Sequence, residues 1–253
     1  MTAAHLIALS LTAAALTAGE PDALAGLKPG HPRLLIDTAA ETARIARLTA
    51  GQAPRLASLL EDLRRQAEAL RSAPAPQRAL TGYRLLDVSR DLLNRTLTLG
   101  VLWRLTGDVA ARDRLRADLL AVAAFSDWNP KHFLDVAEMT TGVALGYDWL
   151  FDQLTGDERG RLMAAIRDKG LVAGDDEKAW WVACDINWNQ VCHGGLVIGA
   201  LAIADREPDL ARRILDRARR HGGDEMHHLV QLLVGDAHPL CHGKHDQPLD
   251  RFY

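Results

Sequence analysis

The chain has 253 residues, 48% hydrophobic and 25% charged, which is the balance of a globular protein long enough to bury a substantial core. Its formal net charge of -3 offers no basic field to nucleic acid or to an anionic membrane, so neither is expected as a partner. Alanine, leucine and arginine are abundant while β-branched and aromatic residues are sparse, which predicts an all-α protein.

Residues 1–18 hold an apolar run from Leu6 to Ala18 among small residues, the pattern of a secretory signal and hence of a periplasmic or secreted protein. No Lys or Arg precedes the run, so an N-terminal helix of the mature chain is the alternative. Thr38 and Glu41 have the spacing of a capping box and open a helix predicted to reach Gly51. A second helix runs to Arg71, and the two prolines of SAPAPQ, residues 72–77, mark a loop.

Three helical hairpins follow. Leu85, Val88, Leu92, Leu99 and Leu102 recur at helical spacing before TGD at 106–108, and the partner helix places Leu115, Leu119 and Val122 on one stripe. The second pairs 134–154 with 156–172, the latter opened by a capping box of Thr155 and Glu158. The third pairs 189–204 with a helix that begins at Pro208 and ends near Arg220. Serial antiparallel hairpins with short turns predict an incomplete α/α toroid over residues 31–220.

Residues 221–253 differ in character, with six of the ten histidines among Gly, Asp and Pro, and are expected to be a disordered or displaced tail. Cys241 with His238, His242 and His245 matches no structural zinc pattern, and Cys184 and Cys192 add no CxxC pair, so no metal is expected. A P-loop, dinucleotide fingerprint, GxSxG elbow and HExxH are all missing, and no cofactor is expected.

Two polar blocks carry the candidate chemistry. In NWNQVCHGG, residues 187–195, Asn187 and Gln190 can cap the following helix, while Asn189 and His193 lie four apart on one face. With the positive end of that helix they form a receptor for a carboxylate. Gly194 and Gly195 imply close approach of another backbone. In the block 125–139, Trp128, Asn129, His132 and Glu138 read as a binding rim, with an exposed Trp128 as a sugar platform. The alternative gives Asn129-Pro130 to a turn and Asp135 to a helix cap. Trp180 and Trp181 are read as packing residues, either of which could face a cleft.

From HPRLLID at 31 through LTGD, DWNPKHFLDVAEM, GYDWLFDQLT and NWNQVCHGGLVIGALAIADREPDLARRIL, the sequence resembles the N-terminal α-helical domain of heparinase II/III-like polysaccharide lyases. The resemblance implies an α/α toroid followed by a β-sandwich, acting on uronate-containing acidic glycans by β-elimination. It assigns Asn189 to neutralising the uronate carboxylate, with Gln190 and His193 as helpers, and Trp128, Asn129, His132, Glu138 and Trp188 to binding substrate. The family's proton-transfer tyrosine has no matching stretch, since Tyr83 and Tyr147 read as helical and Tyr253 is terminal. The chain is therefore expected to be a truncated lyase-like form, with a non-catalytic glycan-binding module or a helical scaffold as alternatives. Oligomeric state is not legible in the sequence.

Overall fold

A computed structural model describes residues 22–35 and 38–234. The predicted leader and residues 235–253 lie outside this range. Every regular element among the described residues is helical, and Thr81 and Arg84 make an isolated bridge. The α-helices are α1 (Thr38–Thr49), α2 (Pro54–Ser72), α3 (Leu86–Thr106), α4 (Val109–Ala123), α5 (Phe133–Trp149), α6 (Gly156–Ala165), α7 (Trp188–Ile203), α8 (Pro208–His221) and α9 (Gly223–Val234). The all-α expectation therefore holds for the described residues. None of their helices is long and apolar enough to cross a membrane.

Local chemistry explains several of the helix ends. Gly107 takes φ 70°, a left-handed conformation that costs glycine little, and the Asp108 side chain accepts the Ala111 amide to start α4. Thr155 and Glu158 form the expected capping box of α6, and Pro208 occupies the first turn of α8. The Glu41 carboxylate takes two hydrogen bonds from Arg104, at 2.8 and 2.6 Å, and so ties α1 to α3. The predicted tail is also corrected over 223–234. There Met226, Val230 and Val234 are buried on one side of α9, because they recur at helical spacing.

Helix α5 is the centre of the molecule, packed between α3 and α7, and all but Glu138 and Thr141 of its seventeen residues are buried. Its contact with α7 is close enough that a Cβ on Gly195 would stand 2.4 Å from the Ala137 carbonyl oxygen, as expected, whereas a Cβ on Gly194 would meet only the Met226 and Leu229 side chains at 3.8–4.0 Å, which corrects that half of the expectation. Helix α4 packs on α3 and α6, and α8 on α7. After α6 the chain widens into a π-helical turn over Ile166–Leu171, from which Lys169 donates to the carbonyls of Ala123 and Phe125 just past α4.

The HPRLL segment is latched to the far end of α5. Buried Asp148 accepts the amides of Arg33 and Leu34, at 2.8 to 3.0 Å, and the Nδ1–H of His31 at 2.5 Å. Tyr147, beside it, has its phenol pushed up to about 12, chiefly by burial. The aromatic residues of GYDWLFDQL thus belong to packing.

Candidate functional site

The first polar block is built around Asp135, on the first turn of α5. Asn129 sits at φ 62°, a conformation asparagine tolerates, and its amide proton is held by Asp127 Oδ1 at 2.7 Å. This turn sends the Asn129 side chain inward, where Nδ2 donates to the Tyr83 carbonyl at 2.9 Å and to Asp135 Oδ2 at 2.6 Å. The same Oδ2 accepts the Leu85 amide at 2.5 Å, and Oδ1 faces His132 Nδ1 at 2.6 Å. Asp135 is therefore a hub joining three segments rather than the helix cap considered from sequence. Because a carboxylate can only accept, His132 donates Nδ1–H to it, and in the neutral ring Nε2 keeps the lone pair.

Glu138, one turn further on, receives a two-pronged hydrogen bond from Arg90 of α3, at 2.9 to 3.2 Å. The expected role of Trp128 is corrected. It is fully buried, with its indole N–H donated to the Val122 carbonyl at 3.1 Å, because the turn at Asn129 folds the loop over the end of α4.

The second block opens α7. Asn187 occupies the N-cap position, but its side chain makes no capping bond and Gln190 forms no capping box with it, which corrects that expectation. Gln190 is exposed and Trp188 half-buried, whereas Asn189 and His193 are 3% and 0% exposed. The last two converge on one atom: Asn189 Nδ2 donates to the Val182 carbonyl at 2.6 Å and His193 Nε2 to the same oxygen at 3.1 Å. Asn189 also donates to the His221 carbonyl at 3.0 Å, so both its amide hydrogens are committed to backbone. Burial pushes the His193 pKa down to about 4, leaving a neutral ring. Cys192 between them is buried, and burial pushes its thiol pKa up, which makes it inert.

The two blocks meet through aromatic rings. Trp188 lies edge-on to His132, with centroids 4.8 Å apart, and Trp180 is 4.7 Å from Trp188. On the other side Tyr83 is 5.5 Å from His132. The outcome is a row, Tyr83–His132–Trp188–Trp180, whose ends are 63% and 61% exposed. Arg84 stacks over the Tyr83 ring at 5.1 Å and donates to its hydroxyl at 2.9 Å, and Lys131 next to His132 is exposed. Such a row offers flat apolar faces with cations beside them.

Sequence reasoning assigned no role to Tyr83 and read Trp180 chiefly as packing. Tyr83 belongs to the turn ahead of α3, not to a helix, and the Gly82 before it, at φ 63°, was the available signal. Asn189 and His193 are not part of this row, whose middle member His132 is itself only 5% exposed, and Trp128 is in the core. Among the described residues no group of three or more His, Cys, Asp and Glu side chains is placed to hold a metal ion. The histidine tract around Cys241 lies outside the described residues. No family model matches this sequence, and no curated protein matches it significantly.

Proposed function

We propose that this chain is the helical part of an exported polysaccharide-lyase-like protein, and that it binds uronate-containing acidic glycans along the Tyr83–His132–Trp188–Trp180 row. The observation carrying this reading is that row itself, in which His132 and Trp188, from the two separate sequence blocks, lie 4.8 Å apart with exposed rings on either side. Aromatic faces suit the C–H faces of sugar rings, and Arg84 and Lys131 suit their carboxylates. The serial packing of α3, α5 and α7, with α4 and α6 in contact on the other side of these hairpins, supports an incomplete α/α toroid.

β-Elimination requires removal of the proton next to the uronate carboxylate and relief of the charge that develops there. His132, oriented by Asp135, is the group suited to take that proton at Nε2, and Tyr83 is a phenol beside it, with ring centroids 5.5 Å apart. A non-catalytic glycan-binding module is the second reading. It is favoured by Asn189, whose amide hydrogens are both held by backbone carbonyls and so are not offered to a substrate carboxylate.

The test is to incubate the protein with alginate and with heparan-type chains while following unsaturated-uronate absorbance and, separately, binding. Product formation that disappears in His132→Ala supports the lyase reading. Binding without product supports the module, and absence of both defeats the glycan assignment.

A further inference from the structure

Away from the aromatic row, a second set of polar atoms is unmet inside the protein. Arg217 of α8 is 1% exposed; its Nη1 donates to the Gly174 carbonyl at 2.7 Å and its guanidinium lies over the Trp181 ring at 5.4 Å. Its Nε and Nη2 are buried and have no hydrogen-bond partner among the described residues. The same holds for His193 Nδ1, and the His193 ring meets the edge of that same Trp181 with centroids 5.3 Å apart.

The neighbours explain why Arg217 is left over. On the same helix Arg213 pairs with Asp175 at 3.1 Å and Arg220 with Glu177 at 2.9 Å, while Asp176 accepts the Lys178 amide. The three carboxylates of residues 175–177 are thus engaged elsewhere. A guanidinium stays ionised in a protein, so burying one with two N–H groups unmet is costly unless an anion joins it.

The chemistry of the open atoms defines that anion. Nε and Nη2 form the guanidinium edge with two parallel N–H vectors, the edge that grips a carboxylate two-pronged. His193 has the opposite need: its Nε2–H is given to Val182, so Nδ1 is an acceptor that suits a hydroxyl. We infer that this cluster, beneath the 172–187 segment, binds a small carboxylate that also carries a hydroxyl group. Arg217 holds the carboxylate and His193 Nδ1 receives the hydroxyl. A cavity of about 240 Å³ is lined by Trp181, whose ring both side chains touch, by Gly174, whose carbonyl holds Arg217, and by Trp180 and Lys131. The inference rests on Arg217 and His193, neither of which belongs to the aromatic row, although Trp180 of that row lines the neighbouring cavity.

The experiment titrates the full chain with sodium D-glucuronate, against sodium chloride at matched ionic strength and against D-glucose, reading thermal midpoint and calorimetric heat. A saturable rise in midpoint with glucuronate alone is expected. Arg217→Met should abolish it, and Arg217→Lys, which keeps the charge without the fork, should weaken affinity about tenfold or more. If Arg217→Met does not fold, Arg217→Lys carries the comparison. A response to glucuronate no larger than to chloride, or one unchanged by either substitution, overturns the inference. In a parallel arm with a uronate oligosaccharide, binding lost in Trp180→Ala but kept in Arg217→Lys reports on the aromatic row instead.

Discussion

The starts of α5 and α7 are built from the same kinds of residue, an asparagine and a histidine beside tryptophan, yet they end in opposite conditions. At α5, Asp135 accepts from Leu85, Asn129 and His132, so each side chain there is fixed by a charged hub. At α7 the hub is a neutral carbonyl, that of Val182, and His193 Nδ1 and two Arg217 nitrogens are left without partners. A satisfied buried network fixes geometry, whereas a partly satisfied one holds a stored penalty that a ligand can relieve.

Breaking the α5 hub should have the largest effect. Asp135→Ala removes the acceptor shared by three donors and leaves them buried, which should cost about 3–5 kcal/mol in urea denaturation at pH 7. A loss below about 1 kcal/mol would mean that the hub does not organise this end of the molecule.

The α7 cluster should reveal itself through pH. The His193 pKa lies near 4 in the folded protein against 6.5 for the free side chain, so as pH falls the unfolded chain takes up the proton first. Stability is then full above about 6.5 and is lost on descending towards about 4, by up to about 3 kcal/mol over the whole window. His193→Gln should flatten this part of the profile. An identical slope in that variant would assign the effect to other groups.

Asn189→Ala should cost about 2 kcal/mol, since two hydrogen bonds to the Val182 and His221 carbonyls are lost from a buried position. Thermal unfolding measures it, and a neutral result would free Asn189 from its structural role. The smallest stability effect belongs to the exposed row: Trp180→Ala and Tyr83→Phe should each stay within about 0.5 kcal/mol of the parent. Glycan affinity, by contrast, should fall in Trp180→Ala, and unchanged affinity would remove that tryptophan from the binding surface.

Much of the fold was legible because its signals are local. The Gly107–Asp108 stop, the Thr155–Glu158 box and Pro208 each act within a single helical turn, so sequence spacing reports them directly. Spacing does not report the tie of Glu41 to Arg104, because that two-pronged partner lies far away in sequence. Trp128 was misplaced for a similar reason: exposure depends on where the loop folds, and the left-handed turn at Asn129 carries it over the core.

Periodicity and spacing alone settle the helical class, most helix boundaries, a close backbone approach at Gly195, and the placing of Asn189 and His193 on one face. These follow from periodicity and from atoms a few residues apart. What that face meets, the row that Tyr83 and Trp180 extend through His132 and Trp188, and the burial of Arg217 with an open edge come from packing. Those outcomes depend on contacts between segments far apart in the chain, whose donors and acceptors can be counted only once packing has brought them together.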